Sequence, residues 1–205
     1  MVEKQLAKKH IITIAGQLGS GKSTTAKAVA LELGYTHASS GNLFREIAKQ
    51  HGLTILEAGE LAESDRSIDD EVDQELKTIG ATRDSMVLDS HMGWHFIPQS
   101  FKVFLDLDMS VAAARRINNG ASQGHGGVEE VPTDPVEYAN NLLKRRTSEI
   151  LRYKQLYNAN PYDVGNYDLV IDTNTKGVEE VVALVIVGFR RWIGEQNSEP
   201  LSVDS

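Results

Sequence analysis

The sequence predicts an α/β fold, a three-layer sandwich in which helices cover both faces of a five-stranded parallel sheet. Five short apolar runs alternate with helical patterns along the 205 residues, as in chains that build βαβ units. The runs are almost continuously apolar, which is typical of strands that are buried on both faces. A glycine-rich motif lies between the first run and the first helix. We expect one domain, with its core at about 10–193.

The first strand is predicted at 11–15, followed by a loop at 16–23 and a helix at 24–33 that Gly34 ends. The loop has Gly, four residues, Gly, Lys and Ser, the P-loop pattern. Its backbone N–H groups can surround a polyphosphate, its lysine can reach the β- and γ-phosphates, and its serine can bind Mg²⁺. A simple connecting turn is the alternative, but the coincidence of strand, motif and helix favours a nucleoside triphosphate. The predicted nucleotide-binding residues are Gly16, Gln17, Gly19, Ser20, Gly21, Lys22, Ser23 and Thr24.

The remaining elements follow in alternation. Strands are predicted at 35–38, 86–89, 101–108 and 167–172. Helices are predicted after a cap at Ser40, at 55–64 and 68–79, after a cap at Ser110, and at 135–157 and 177–192, with a turn at 80–85. Most of the many carboxylates between 55 and 79 are interpreted as a solvated helical face. The glycine-rich segment at 119–135 predicts mobility, and the tail at 194–205 is polar.

Composition excludes several kinds of site. The chain has no cysteine, so disulfides, thiolate metal sites and cysteine nucleophiles are excluded. Its net charge of -8 and the lack of a basic stripe argue against a nucleic-acid partner. No secretory signal is recognised at the N-terminus, and the most apolar run, 181–189, is too short to cross a bilayer. We therefore expect a cytoplasmic protein without a membrane partner, either a monomer or a weak homodimer.

Ligands of parallel sheets bind beyond the carboxyl ends of the strands. The P-loop and the segments at 40–45, 89–94 and 106–108 all lie there, so we expect them to form one crevice. Arg45 falls in this crevice, although an exposed helical arginine is the alternative. Asp89 could organise Mg²⁺ with Ser23 or contact the acceptor, or it could simply cap its strand. Of the neighbouring Arg115 and Arg116, we expect Arg116 to reach the site with a closing lid.

A second set of cationic groups lies on the helix at 135–157. Spacings of four and seven place Arg145, Glu149 and Arg152 on one face, with the two arginines about 10 Å apart along the axis. Both could reach one polyphosphate, with Glu149 between them holding the guanidinium groups in place. The alternative is a surface ion pair of little energetic value.

These groups favour a kinase over other P-loop proteins. The Asn-Lys-x-Asp motif with which GTPases recognise their base is absent, whereas a second anion-binding set suits a second phosphorylated substrate. His91 and His95 flank Met92, Gly93 and Trp94. Because no cysteine or suitably spaced carboxylate accompanies them, we reject a structural metal site there.

The chain resembles the short, archaeal-type cytidylate kinases and related cytidylate kinase-like proteins. The resemblance extends from about 11 to 192 and rests on these segments: 16–23, Ser40-Gly41-Asn42-Leu43-Phe44-Arg45, Leu88-Asp89 with Trp94-His95-Phe96-Ile97-Pro98, 145–153, and 167–173. It implies a nucleoside monophosphate kinase fold with a monophosphate-binding lobe at about 39–80 and a lid at about 116–136. It also implies ATP with Mg²⁺ as donor and CMP or dCMP as acceptor.

The resemblance also suggests roles for individual residues. It implies that Arg45, Arg145 and Arg152 bind phosphate. Together with the positions of the other residues, this leads us to expect that Lys22, Arg116, Arg145 and Arg152 act on the transferring group. The residues expected to bind the acceptor are Ser40, Arg45, Asp89, His91, Arg145, Glu149 and Arg152. The family usually has arginine two residues after the strand-end acid, where this chain has His91. We expect this histidine to weaken acceptor binding, with some recovery as it gains charge at mildly acidic pH. The alternatives are a kinase of another small metabolite and a nucleotide-binding regulatory module.

Overall fold

A computed structural model describes residues 8–54, 57–58, 61, 65–118 and 134–194, apart from the side chains of 116–118. Within these residues, five strands form one parallel sheet in the order β2-β3-β1-β4-β5. The strands are β1 Ile11–Gly16, β2 Thr36–Ser39, β3 Met86–Asp89, β4 Phe101–Asp106 and β5 Leu169–Asp172. The predicted five-stranded parallel sheet is confirmed. The strand that leads into the P-loop is the central one, and β2 is at an edge.

Helices cover both faces of the sheet. They are α1 Lys22–Leu33, α2 Ser40–Gln50, α3 Ser67–Thr82, α4 Gly93–Phe96, α5 Met109–Asn118, α6 Pro135–Tyr157 and α7 Val178–Ile193, with a short 3₁₀ helix at Val164–Asn166. Helix α6 has the bounds that the sequence predicts. Asp134 caps its first turn, and Asn158 ends it in the left-handed conformation. None of the helices in the described ranges is long and apolar enough to span a bilayer.

The hydrophobic core has a separate cluster on each face of the sheet. On one face, Ile12 and Ile14 of β1 pack with Val29 of α1 and with Val185 and Phe189 of α7. On the other face, a second cluster joins β1 and β3 to α3 and the end of α4; it consists of Ile11, Leu76, Ile79, Met86, Leu88 and Ile97. Full burial of one such side chain contributes about 1.5–3 kcal/mol. The two clusters together fix the P-loop strand between helices on both sides.

Two serines that were predicted as helix caps lie inside their helices. Helix α2 includes Ser40, and Ser39 is its cap, with the extended backbone (φ -140°) of the strand that it ends. The carbonyl of Asp108 accepts a hydrogen bond from Ala112 (2.8 Å), so α5 begins at Met109. Ser110 therefore lies inside the first turn. Both predicted caps were wrong because a serine near a helix start is equally compatible with the first turn.

The predicted turn at 80–85 was also wrong in its first half, because α3 continues to Thr82. Gly80 lies inside this helix, where a Cβ atom would come within 3.1 Å of Cγ1 of Ile97. The glycine thus allows α3 to approach the residue that follows α4. Gly80 is therefore required for helix packing, whereas a glycine at this point of the sequence predicts a turn.

The lobes expected from the family resemblance are described only in part. Helices α2 and α3 belong to the expected monophosphate-binding lobe at 39–80, of which 55–56, 59–60 and 62–64 lie outside the described residues. Most of the expected lid at 116–136 and the tail at 195–205 also lie outside them.

Candidate active site

The P-loop connects β1 to α1, as predicted. A Cβ atom on Gly16 would come within 2.3 Å of the carbonyl oxygen of Leu105 in β4, so only glycine allows the sheet to close beside the loop. At the other end, Gly21 precedes α1 with φ of 85°, in the left-handed region. The loop therefore ends on the positive N-terminus of a helix, where backbone N–H groups favour an anion.

Two buried polar groups of the loop have no partner among the described residues. They are Oε1 of Gln17 and the hydroxyl of Ser20. Gln17 uses its amide nitrogen to donate to Asp106 at the end of β4 (3.3 Å). Thr24 is exposed at the start of α1. Because unpaired buried polar groups are costly, Gln17 and Ser20 are placed to gain hydrogen bonds from a ligand.

Lys22 lies at the centre of the site. Its Nζ donates to the carbonyl oxygens of Gly16 (3.2 Å) and Gln17 (3.0 Å). Burial lowers the pKa of Lys22. The carboxylates of Asp89 and Glu149 act in the opposite direction, whereas the nearby guanidinium of Arg145 lowers it further. The structure thus brings the end of β3 and helix α6 to the P-loop.

Ser23 and Asp89 form the pair expected for magnesium. The Ser23 hydroxyl donates to Oδ2 of Asp89, which is 7% exposed. Ser40 donates to the backbone carbonyl of Asp89 (3.5 Å). Among the described residues no lysine or arginine forms an ion pair with the Asp89 carboxylate. A buried carboxylate beside a hydroxyl is an oxygen donor set that suits Mg²⁺, so the residues fit this ion.

Arg145 and Arg152 of α6 have separate carboxylate partners. The Nε of Arg145 donates to Glu149 (3.2 Å), and the hydroxyl of Tyr162 donates to the second oxygen of the same carboxylate. Arg152 instead pairs with Asp69 of α3. The expectation that Glu149 holds both arginines was therefore wrong for Arg152. Its partner is 83 residues away in the sequence, within helix α3, where most carboxylates are predicted to be solvated.

A second contact between the same helices lies about one turn further along each. The hydroxyl of Tyr157 donates to Oδ2 of Asp73 (2.8 Å). Asp73 is 7% exposed, and burial raises its pKa. Neither residue was recognised from the sequence, because Asp73 differs in no local feature from its solvated neighbours. Helices α3 and α6 are thus joined by two polar contacts beside the crevice.

His91 follows β3 and contacts the ring of Tyr162, with the ring centroids 5.7 Å apart. Its Nδ1 is buried and has no partner in the described part of the chain. Burial, reinforced by Lys22 and Arg145, holds the pKa of His91 well below its ordinary value. The expected gain of charge at mildly acidic pH is therefore wrong. His91 offers a neutral imidazole to the site.

Arg45 is exposed on α2, and its guanidinium donates to Asn42, one turn earlier. In the described ranges no hydrogen bond or ion pair joins it to the P-loop. Arg115 donates to the carbonyl oxygens of Thr173 (2.6 Å) and Asn174 (3.2 Å), after β5. It therefore fixes the loop between β5 and α7. The side chain of Arg116, the residue preferred from the sequence, lies outside the described residues.

The family model described as cytidylate kinase-like matches residues 11–175. The cytidylate kinase of Natronomonas pharaonis is 38% identical over 178 residues, which cover 85% of this chain and 86% of that protein. The cytidylate kinase of Halobacterium salinarum is 34% identical over 197 residues, with coverages of 95% and 97%. Shikimate kinase from Aquifex aeolicus has a similar crystal structure, with a TM-score of 0.56 at 17% identity over 91% of this chain and 99% of that one. At that identity the likeness concerns the fold alone.

Proposed function

This chain belongs to the cytidylate kinase-like family, and from that membership we propose that it transfers the γ-phosphoryl group of ATP to CMP or dCMP. One observation carries the proposal. A hydrogen bond from Ser23 to Asp89 joins the P-loop to the end of β3, and the charges of Asp89 and of Arg145 on α6 both act on Lys22. A donor-binding loop, a strand-end acid and an arginine-bearing helix thus meet at one crevice.

Transfer of the phosphoryl group between two phosphates requires neutralisation of negative charge and little general acid–base catalysis. An oxygen of the acceptor phosphate attacks the γ-phosphorus, the bond to the β–γ bridging oxygen breaks, and ADP leaves with that oxygen. The acceptor oxygen is already anionic at neutral pH, so no strong general base is required. The barrier comes from bringing two anions together and from the charge on the migrating group, which positioned cations stabilise.

The donor side is provided by the P-loop. Lys22 donates to two carbonyl oxygens of its own loop. When ATP binds, its ammonium group would exchange these two hydrogen bonds for contacts with phosphate oxygens. Gln17 and Ser20 supply polar atoms that lack a partner in the described ranges. Ser23 and Asp89 would hold Mg²⁺, which supplies neutralisation of the β- and γ-phosphate charges when it is bound.

The acceptor side is assigned to Arg145 and Arg152, with Arg45 approaching from α2. The Arg145 side chain is 62% exposed and the Arg152 side chain 45%, so both keep free N–H donors beyond their carboxylate contacts. Glu149 and Asp69 orient these guanidinium groups, because arginine–carboxylate pairs have a defined geometry. Ser40 lies beside Asp89, where it can contact the acceptor.

A kinase of another small metabolite is the second candidate. The likeness to shikimate kinase, at 17% identity, concerns the fold and does not decide between the two candidates. His91, where the family resemblance leads one to expect arginine, is the one site feature that supports a changed acceptor. The names of the relatives at 34–38% identity favour the cytidine nucleotides.

A panel of acceptors tests the proposal. The purified chain is incubated with ATP, Mg²⁺ and each of CMP, dCMP, UMP, AMP and GMP, and ADP formation is compared with a reaction without acceptor. We expect CMP or dCMP to give the highest kcat/KM. Lys22→Ala should lower the rate by orders of magnitude. Lys27→Ala, an exposed lysine on the same helix, should not.

The same panel can contradict the proposal. If the folded chain binds ATP but no monophosphate raises ADP formation above the control without acceptor, the nucleoside monophosphate kinase assignment fails. A regulatory nucleotide-binding module or a kinase of another metabolite would then account for the site. Equal rates for a folded Lys22→Ala variant and the wild type would contradict the assignment of the P-loop.

A further inference from the structure

A cleft of about 580 Å³ opens between α3, α4 and the end of α6. Residues of the P-loop do not line it. Its walls include a carboxylate, an ammonium group, three rings and an aliphatic side chain, contributed by Asp73, Lys77, His95, Phe96, Tyr157 and Leu156. The proposed phosphoryl transfer leaves this cleft without a role.

The cleft continues the proposed acceptor site along two helices. Leu156 follows Arg152 by four residues, on the α6 face that carries Arg145 and Glu149. Asp73 follows Asp69, the partner of Arg152, by four residues on α3. One helical turn, about 5–6 Å along each axis, therefore separates the phosphate-binding arginine from the cleft. A ligand with its phosphate on Arg152 can place its other end here.

Asp73 and Lys77 place a hydrogen-bond acceptor and a donor one turn apart in the cleft, which is also lined by the exposed ion pair of Arg66 and Asp70. Asp73 accepts from Tyr157 through Oδ2, and its Oδ1 accepts no hydrogen bond from the described residues. Burial raises the pKa of Asp73, while the Tyr157 hydrogen bond and then the Lys77 ammonium oppose that shift. The Nζ of Lys77 lies 5.6 Å from the centroid of the Phe96 ring. Carboxylate and ammonium therefore face the same space beside an aromatic ring.

Aromatic rings form one wall of the cleft. The ring centroids of His95 and Phe96 are 5.0 Å apart, and those of Phe96 and Tyr157 are 5.4 Å apart. Burial lowers the pKa of His95, so its ring is neutral at pH 7. Such faces bind nucleobases by stacking, because every base has a π-face.

We propose that this cleft binds the pyrimidine of the acceptor nucleotide, with Asp73 accepting a hydrogen bond from the 4-amino group of cytosine and Lys77 donating to a ring carbonyl or ring nitrogen. Cytosine presents an amino donor at this edge, whereas uracil presents a carbonyl acceptor. The Asp73 carboxylate attracts the first and repels the second. This inference rests on the proposed nucleoside monophosphate kinase activity and adds a residue that selects the base.

The substitution Asp73→Asn tests it. Asparagine keeps an oxygen that can accept from Tyr157, and its amide can also donate to O4 of uracil. The ratio of kcat/KM for CMP to that for UMP should fall by about tenfold or more, since one hydrogen bond to a charged group is replaced. Calorimetric titration of CMP and UMP without ATP should show the same change in the ratio of Kd values.

Two control variants separate base selection from helix packing. Tyr157→Phe removes the hydroxyl that contacts Asp73 and keeps both the ring and the carboxylate, so the CMP-to-UMP ratio should stay within a factor of two or so of the wild-type ratio. Glu75→Gln neutralises an exposed carboxylate of the same helix outside the cleft and should also leave the ratio unchanged.

The proposal is overturned if Asp73→Asn phosphorylates CMP and UMP in the wild-type ratio, or if Tyr157→Phe alone reproduces the full shift. In either case a wild-type chain that phosphorylates CMP keeps the proposed function, and only the base subsite is lost. A wild-type chain that neither binds nor phosphorylates any nucleoside monophosphate overturns both.

Discussion

The hydroxyl of Ser23 donates a hydrogen bond to the carboxylate of Asp89, and this contact joins the P-loop to the end of the neighbouring strand. Both oxygens belong to the donor set assigned to Mg²⁺. The carboxylate lacks a lysine or arginine ion-pair partner in the part of the chain that the structure describes. A cation at this point would therefore meet a negative charge that no ion pair already satisfies.

Asp89→Asn should lower kcat/KM by about a hundredfold and raise the Mg²⁺ concentration needed for half-maximal rate, because a neutral amide is a poorer ligand for a hard cation. Initial rates measured over a Mg²⁺ series check this. Asp84→Asn is the matched control, because its carboxylate lies just before the same strand, at the amino end and away from the P-loop. An unchanged Mg²⁺ requirement in Asp89→Asn would remove Asp89 from the metal site.

Arg145→Ala and Arg152→Ala should each reduce kcat/KM by about a hundredfold or more, since each removes a cation from the transferring or acceptor phosphate. The double variant should lose much less than the product of the two single losses, because the two groups act together. Steady-state kinetics of the four proteins measure this coupling. Lys144→Ala, an exposed lysine of the same helix, serves as control. Near-normal kinetics of both single variants would mean that Arg145 and Arg152 form only surface ion pairs and have no role in the reaction.

His91→Arg should lower the acceptor KM, by an amount that corresponds to one charge-assisted contact of about 1.5–3 kcal/mol. The pKa of His91 lies well below its ordinary value, so the wild-type acceptor KM should show no titration of this residue between pH 6 and 8. Kinetics of both proteins across that range check both expectations. Gain of CMP activity with loss of activity on another acceptor would instead mean that His91 has been adapted to that acceptor. Identical kinetics would place His91 outside the site.

Asp73→Asn should raise the thermal stability at pH 7. Burial raises the pKa of Asp73 in the folded chain, so the folded state binds more protons than the unfolded state at pH values just above the ordinary carboxyl pKa. Stability from this group therefore falls as pH rises through that window, and the ionised carboxylate is destabilising above it. The gain in Tm on substitution should shrink towards pH 4. A loss of Tm that is larger at pH 7 than at pH 4 would contradict this sign.

The sequence predicted the donor half of the site more completely than the acceptor half. The P-loop is a local pattern: strand, glycines, lysine and helix lie within 11–33, and each element constrains the next. The strand-end position of Asp89 followed from the same reasoning, because the carboxyl ends of parallel strands share one edge.

The proposed acceptor half depends on contacts between distant parts of the chain, which local sequence patterns do not contain. Asp69 and Asp73 differ from their solvated neighbours only because α6 passes over them, and Arg152 lies 83 residues from its partner. A helical periodicity identifies the face that carries Arg145 and Arg152 but not the helix that it meets. Gly80 shows the same limit, since its role depends on Ile97, a residue of another element.

The central strand β1 and the edge strand β2 are expected to differ in local stability. This strand is buried along its whole length and hydrogen-bonds to a neighbour on each side, whereas β2 has one neighbour and is partly exposed. Segments with few buried contacts and exposed hydrogen bonds open first in local unfolding. Backbone amides next to the P-loop therefore belong to the slowest-exchanging part of the sheet, and those of β2 to a faster-exchanging part. The loop proposed to bind the triphosphate therefore follows the most protected strand, whereas Ser40, proposed to contact the acceptor, follows a less protected one.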